Sequence, residues 1–233
     1  MANGDNDAPE LAASFEEARE MLVRELSREI TDERVLHAFG VVPRERFVLD
    51  EARHLAYANR PLPIGHGQTI SQPLMVALML HELRLQGEER VLDVGTGSGY
   101  QAALLSVLAR RVVGVELIRE LAERARGVLR DLGYDNVEVH VAGDELGWPA
   151  GAPYDAIVVA AASPRVPQSL VAQLAPGGRL VIPVGGDEGQ DLLVVEKGPE
   201  GLTVSRKGGC RFVPLIGREA YHASDVRSVE ESQ

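Results

Sequence analysis

From Arg90 to Val184 the sequence alternates short apolar runs with amphipathic helical segments, and this alternation restricts the chain to few folds. The apolar run Ala156-Ile-Val-Val-Ala-Ala161 has no polar alternation, so both faces of that strand must be buried. Strands of this kind occur in parallel sheets that helices cover on both faces. We therefore predict a doubly wound α/β fold with a mostly parallel sheet.

The predicted sheet has seven strands, and the last two form an antiparallel hairpin. The turn sequence Gly198-Pro-Glu-Gly201 separates these two closing strands. The predicted strands are Arg90–Gly95, Arg111–Glu116, Val137–Ala142, Tyr154–Ala161, Arg179–Val184, Asp191–Lys197 and Leu202–Lys207. The predicted helices between the strands are Ser98–Ala109, Ile118–Leu132 and Pro167–Leu174.

The residues before the sheet are predicted to form a helical cap and a long loop. Apolar residues recur at helical spacing from Glu10 to Ile30, and Thr31 or Asp32 caps a second helix. Closely spaced prolines and glycines then predict a loop before the apolar helix that begins at Pro73. The predicted divisions are a disordered N-terminus at 1–9, a cap and substrate loop at 10–72, a core at 73–217 and a polar tail at 218–233.

Composition predicts a cytoplasmic protein that binds neither nucleic acid nor a membrane, and we expect the protein to be a monomer. Cys210 is the single cysteine, which suits a reducing compartment and excludes an intrachain disulfide. The formal net charge is −11 without any run of Lys or Arg, whereas nucleic-acid partners require a basic surface. No apolar run reaches the roughly 20 residues of a membrane span, and the polar start does not resemble a signal peptide. The scattered histidines predict no metal site.

The loop Gly95-Thr-Gly-Ser-Gly99 lies between a predicted strand and a helix, where glycines let the backbone turn and approach a nucleotide. Glu116 ends the next strand, where a carboxylate can accept hydrogen bonds from both ribose hydroxyls of an adenosine. Asp144 follows the third strand, where a carboxylate can accept from an adenine amino group. We predict an adenosine-binding crevice at these strand ends. The alternative is a tight turn beside two surface acids.

The position of Asp93 separates two cofactors that this loop could bind. The loop also fits the dinucleotide pattern, because Gly97-Ser-Gly-Tyr-Gln-Ala102 reads G-x-G-x-x-A. Asp93 precedes the glycines by two residues, and a carboxylate there would repel a pyrophosphate. It suits a cofactor with an ammonium and a sulfonium group, or it orders the loop by binding backbone amides. Only one mononucleotide half is present, so the pattern favours S-adenosylmethionine over NAD.

Several segments occur in the order typical of class I methyltransferases: VLDVGTGSGYQAALL, VVGVE, VAGDELGW, YDAIVVAAA and LAPGGRLVIPVG. Together with VPRERFV, LPIGHGQTISQP and RFVPL they resemble the protein-L-isoaspartate O-methyltransferase family over residues 35–215. The resemblance implies a Rossmann-like methyltransferase sheet. It also implies methyl transfer from S-adenosylmethionine to the α-carboxylate of L-isoaspartyl residues in damaged proteins, releasing S-adenosylhomocysteine. The methyl ester then collapses to a succinimide, and hydrolysis restores some normal aspartate.

The resemblance also implies roles for individual residues. Ser71 corresponds to the family's catalytic serine and is expected to orient the substrate carboxylate by hydrogen bonding. Thr69, Ile70 and Ser71 would bind the substrate, and Val213 in RFVPL would contact the isoaspartyl region. The cofactor-binding residues are expected to be Gln68, Thr69, Asp93, Gly95, Gly97, Gly99, Glu116, Leu117, Asp144 and Glu145.

The reaction suits the uncharged segment Gln68-Thr-Ile-Ser71. A carboxylate has a pKa of roughly 3.5 to 4, so at neutral pH it is already a nucleophile and needs no general base. An acid beside it would repel it, and a Lys or Arg in contact would compete for the attacking electron pair. Neutral hydroxyl and backbone donors avoid both problems. The alternative role for Ser71 is the N-cap of the helix that begins at Pro73.

Two positions depart from the family pattern. Glu145 follows Asp144 where the family usually has glycine, and Leu74 stands where an aromatic residue or histidine is more usual. Three other functions share these motifs. They are methylation of aspartate in a dedicated partner peptide, cofactor binding without catalysis, and nucleotide-linked oxidation and reduction.

Overall fold

The computed structural model describes residues 7–143, 145–186 and 188–222. The helices are α1 (Asp7–Leu26), α2 (Glu33–Val41), α3 (Pro73–Leu83), α4 (Tyr100–Leu108), α5 (Arg119–Asp131) and α6 (Gln168–Ala172). The strands are β1 (Leu62–Gly65), β2 (Gln68–Ile70), β3 (Arg90–Val94), β4 (Arg111–Glu116), β5 (Val137–Val141), β6 (Tyr154–Val159), β7 (Leu174–Gly186), β8 (Gly189–Gly198) and β9 (Gly201–Cys210).

The main sheet has seven strands in the order β5-β4-β3-β6-β7-β8-β9. Strands β3 to β7 pair in parallel, and β7, β8 and β9 pair antiparallel. The predicted fold class is therefore confirmed, including the closing hairpin. The chain moves outward from β3 to β5 and returns to β6 on the other side of β3. This reversal opens a crevice at the carboxyl ends of the strands, where ligands bind in such sheets.

Both faces of the central strands are buried, as the unbroken apolar runs predict. Val91 and Leu92 are neighbours in β3 and are each fully buried, yet they belong to two different hydrophobic clusters. The first cluster also contains residues of the cap. Its members include Leu22, Leu26 and Phe39 from α1 and α2, together with Leu104 and Leu105 from α4 and Val112 from β4.

The predicted loop before α3 contains a β-hairpin instead. Leu62 in β1 pairs with Ile70 in β2, and both side chains are buried. His66 and Gly67 at the turn have φ angles of 55° and 68°, so the turn uses the left-handed backbone that glycine favours. Prolines and glycines usually indicate a loop, but here Pro63 lies on a two-stranded edge, where a missing N–H is tolerated.

Several element ends differ from the predicted ones, and α1, β7 and β9 show clear differences. Helix α1 begins at Asp7, earlier than the predicted start at Glu10. The predicted division of the chain into segments stays a prediction. Strand β7 begins at Leu174 and includes Pro176-Gly-Gly178, which reads as a turn in the sequence. Strand β9 extends to Cys210. Residues 1–6 and 223–233 lie outside the described residues.

Within the described part of the chain, no helix is long and apolar enough to cross a membrane.

Candidate active site

A cavity opens at the carboxyl ends of β3, β4 and β6. The empty space within it, counted together with its open mouth, is about 1110 Å³. The glycine loop forms one wall, and the β1–β2 hairpin with the following Ser71 forms another. Residues 142–143, 145–147 and 213–217 complete the enclosure. The cavity therefore joins the cap, the sheet and the segment after β9.

The structure brings most of the predicted site residues together in this cavity. The predicted residues that line it are Gln68, Thr69, Ile70, Ser71, Gly95, Gly97, Glu116, Leu117, Glu145 and Val213. Asp93 and Gly99 are not in its wall. Asp144 lies outside the described residues, so its predicted contact with adenine stays a prediction.

Glu116 ends β4 and holds the glycine loop through its carboxylate. One oxygen accepts from the Gly97 N–H at 2.8 Å, and the other accepts from the Ile118 N–H at 2.8 Å. A carboxylate offers about four lone-pair sites. Two of them remain after these backbone bonds, which matches the two hydroxyls of a ribose. Glu116 thus shapes the loop and can also receive a ligand.

Asp93 lies behind the cavity wall. Its side chain is fully buried, and one oxygen accepts from Gln101 Nε2 at 2.7 Å. The other oxygen has no hydrogen-bond partner among the described residues. Burial raises the pKa of Asp93 to about 6, and the nearby charge of Glu116 adds to this, while the bond from Gln101 opposes it. Asp93 therefore orients Gln101, which lines the cavity. The backbone amide of Gly97 in the glycine loop is bound by Glu116 and not by Asp93.

Gly97 and Gly99 serve different purposes in the loop. Gly97 lines the cavity with a φ of 55°, and a Cβ there would lie 3.2 Å from Ile64 Cδ1 of the hairpin. Gly99 precedes α4 with a φ of 91°, and a Cβ there would lie 3.2 Å from Ala125 Cβ. Gly99 therefore allows α4 to begin against α5. It does not form part of the cavity wall.

Ser71 does not cap α3, so that alternative is wrong. The N-cap of α3 is Gln72, whose side chain makes no capping hydrogen bond. The Leu74 N–H in the first turn of α3 donates instead to Asn59 Oδ1 at 3.0 Å. The Ser71 hydroxyl is therefore not used for capping, and the residue lines the cavity. Its backbone carbonyl accepts a hydrogen bond from Arg44 Nη2 at 2.9 Å.

Arg44 contacts residues of the cavity wall, and the sequence analysis did not identify it. Its side chain is fully buried, and its Nε donates to the Ala56 carbonyl at 2.8 Å. The guanidinium carbon lies 4.8 Å from the ring centroid of Tyr100, which lines the cavity. Burial lowers the pKa of Arg44 to about 10, so the group stays protonated at neutral pH. The only sequence signal was its place in VPRERFV, where a second arginine follows two residues later.

The segment after β9 is held against the end of β6. Gln190 clamps Phe212, because its amide nitrogen donates to the Phe212 carbonyl at 3.0 Å and its oxygen accepts from the Phe212 N–H at 2.7 Å. Ala162 pairs with the same segment through the Val213 carbonyl and the Leu215 N–H. These bonds place Val213 in the cavity wall.

Among the residues that the structure describes, no group of three or more His, Cys, Asp or Glu side chains could hold a metal ion.

The main sheet is mostly parallel and ends in an antiparallel hairpin. A glycine loop follows its first strand, and an acid at the end of its second strand binds that loop. These features together define the class I methyltransferases. A family model comparison is more specific. The model of the protein-L-isoaspartate(D-aspartate) O-methyltransferase (PCMT) family matches residues 17–220. The chain belongs to this family, as the motif resemblance predicts.

Individual relatives agree with the family match. Protein-L-isoaspartate O-methyltransferase 1 of Syntrophobacter fumaroxidans is 52% identical over 207 residues, which cover 88% of this chain and 97% of the relative. The protein-L-isoaspartate O-methyltransferase of Anaeromyxobacter dehalogenans is 54% identical over 189 residues, covering 80% of this chain and 90% of the relative.

Solved structures share the fold. One protein-L-isoaspartate O-methyltransferase superposes with a TM-score of 0.80 at 29% identity, covering 91% of this chain and 70% of the other. A Plasmodium falciparum PCMT in complex with S-adenosyl-L-homocysteine superposes with a TM-score of 0.74 at 28% identity, covering 86% of this chain and 99% of the other.

Proposed function

We propose that the protein transfers a methyl group from S-adenosylmethionine to the α-carboxylate of L-isoaspartyl residues in damaged proteins and peptides. The observation that carries this proposal is the meeting, in one cavity, of the Glu116-bound glycine loop with Ser71. Membership of the PCMT family supports it. The product ester then closes to a succinimide without the enzyme, and hydrolysis returns part of it to aspartate.

We propose that the cofactor lies along the glycine loop. Glu116 has two free lone-pair sites for the ribose hydroxyls, and Gly95 and Gly97 let the loop backbone approach the cofactor. When bound, S-adenosylmethionine supplies an electrophilic methyl group on a sulfonium. The other residues assigned to the cofactor are Gln68, Thr69, Leu117 and Glu145, which line the cavity.

We propose that Ser71 donates a hydrogen bond to the substrate carboxylate and orients it toward the methyl group. The nucleophile is already ionised at neutral pH, so no base is needed. Thr69, Ile70 and Val213 also line the cavity, and we assign to them the exclusion of water from the carboxylate. Positioning of this kind can supply up to roughly 7–11 kcal/mol of the barrier.

The proposal is tested by following the transfer of labelled methyl from S-adenosylmethionine to one peptide made twice, with L-isoaspartate and with L-aspartate. We expect labelling of the isoaspartyl peptide alone. In Ser71→Ala the value of kcat/KM should fall by about 10- to 100-fold, because one orienting hydrogen bond is lost. Ser106→Ala, whose hydroxyl bonds the Ala103 carbonyl within α4, is the control and should match the wild type.

Three outcomes would contradict the proposal. Equal labelling of both peptides would indicate a different substrate chemistry. Labelling of neither peptide, with S-adenosylhomocysteine still bound in calorimetry, would favour a dedicated partner peptide or a non-catalytic binding module. Binding of NAD in place of S-adenosylhomocysteine would favour an oxidoreductase.

We further propose that the enzyme works as a monomer in the cytoplasm on isoaspartyl proteins, without nucleic-acid or membrane partners. The net charge of −11 supports the first exclusion, because nucleic acids bind basic surfaces. The single cysteine, Cys210, supports a reducing compartment.

We predict that deamidation at Asn3-Gly4 makes the protein a substrate for its own activity. Glycine after asparagine does not hinder closure to a succinimide, so this pair deamidates readily. We expect aged wild-type protein to take up several-fold more labelled methyl, without added peptide, than freshly purified protein. Aged Asn3→Ala should stay at the level of fresh protein. Equal labelling of the two aged proteins would refute this prediction, which rests on the sequence because Asn3 lies outside the described residues.

A further inference from the structure

Arg44 places a buried positive charge directly behind the wall of the cavity. The residue lies in a short 3-10 turn of the cap, and its side chain has no solvent exposure. Two of the residues that it contacts also line the cavity. Its Nη2 bonds the Ser71 carbonyl at 2.9 Å, and its guanidinium stacks on Tyr100.

The Arg44 charge has no carboxylate partner. None of the ion pairs within 4.0 Å in the described part of the chain includes this residue. Its Nη1 is buried and has no hydrogen-bond partner among the described residues. A buried charge without a counter-ion is costly, and an anion that binds nearby reduces that cost.

The cavity wall itself carries the same sign of charge as the proposed substrate. It contains the carboxylates of Glu116 and Glu145 but, among the described residues, no Lys, Arg or His. A substrate carboxylate that enters this cavity is repelled by the wall. A positive charge close behind Ser71 offsets that repulsion, because two charges attract strongly through the poorly polarisable interior of a protein.

We propose that Arg44 is a positioning and specificity-determining residue, which fixes the Ser71 backbone and whose charge selects an anionic methyl acceptor. This inference rests on the proposed function. From its place behind the wall, Arg44 attracts the carboxylate without bonding to its oxygens. The lone pair that attacks the methyl group therefore stays free, which direct contact with a cation would prevent.

The test compares two peptides on the enzyme saturated with S-adenosylhomocysteine, a complex that cannot turn over. One peptide carries L-isoaspartate, and the other carries the neutral α-carboxamide in place of the free α-carboxylate. Calorimetry gives the two dissociation constants and hence the preference for the anion. We expect wild type to bind the carboxylate peptide at least about 30-fold more tightly than the carboxamide peptide.

Two variants separate the charge of Arg44 from its shape. Arg44→Met removes the charge and should reduce the preference for the anion by about tenfold. Arg44→Lys keeps the charge and should retain the preference within about threefold, while kcat falls because the Ser71 carbonyl loses its fixed donor. Arg19→Met is the matched control, since Arg19 is a partly buried cap arginine that bonds Tyr57 and Glu45, and none of these three residues lines the cavity. It should keep the wild-type preference.

Each outcome decides the matter. If wild type binds both peptides equally, the inference fails without any variant. If Arg44→Met binds S-adenosylhomocysteine normally and keeps the full preference, Arg44 only supports the fold. If Arg44→Met does not fold by circular dichroism, Arg44→Lys decides, because loss of the anion preference there would overturn the inference. If wild type neither binds nor methylates the carboxylate peptide, the proposed function itself fails.

Discussion

Replacing Glu116 with glutamine is expected to weaken the binding of S-adenosylhomocysteine by about 100-fold or more. The carboxylate accepts from the Gly97 N–H of the glycine loop and from the Ile118 N–H at the start of α5, and glutamine can accept through one oxygen only. Its NH₂ group would face an N–H donor, so one of these two contacts becomes repulsive. The ribose also loses an acceptor. A hydrogen bond to a charged group contributes about 1.5–3 kcal/mol, so losing two accounts for an effect of this size.

Calorimetric titration of S-adenosylhomocysteine into the purified variant measures this change. The control is Glu120→Gln, an exposed acid in the first turn of α5, whose removal should leave the affinity within about twofold of wild type. A Glu116→Gln protein that binds the cofactor product as well as wild type would show that Glu116 does not organise the site.

Asp93→Asn is expected to stabilise the cofactor-free protein at neutral pH by about 2–3 kcal/mol. Burial raises the pKa of Asp93 to about 6, above its usual value of about 4. Between these values the folded state binds more protons than the unfolded state, so the free energy of unfolding falls as the pH rises through this window. Above pH 6 the whole penalty applies, at about 1.4 kcal/mol per unit of pKa. Asparagine removes the charge and can still accept from Gln101.

Urea unfolding of both proteins at pH 4 and pH 7.5 measures the effect. The stability advantage of Asp93→Asn should be largest at pH 7.5 and nearly absent at pH 4, where the aspartate is protonated in the folded protein. An advantage of equal size at both values would mean that the side chain's shape, and not its ionisation, determines the difference.

The sheet could be predicted from the sequence because burial on both faces leaves an unbroken apolar pattern. Val91 and Leu92 point to opposite sides of β3, and both positions had to be apolar. The β1–β2 hairpin could not be predicted in the same way. Pro63 and Gly65 indicate a loop, and the pairing of Leu62 with Ile70 that outweighs them depends on burial against the rest of the fold.

The cavity residues could be predicted where the chain itself brings them to a strand end. Glu116 and the glycine loop follow neighbouring parallel strands, so their meeting is a consequence of the fold. Asp93 lies inside β3, and its position along the chain does not show on which face of the sheet its side chain lies. Arg44 was missed because its contacts with Ser71 and Tyr100 join parts of the chain that are distant in sequence.

The shared core means that the cap is not an exchangeable module. Phe39 of α2 packs edge-on against Tyr100, with ring centroids 6.1 Å apart, and Tyr100 in turn lines the cavity. A cap transplanted from a relative would have to bring matching partners for Tyr100 and α4, or the cavity wall would shift. Changes in the cap and changes in the cavity wall must therefore be inherited together. Recombination within this family should succeed only at crossover points that take the cap and the cavity wall from the same parent.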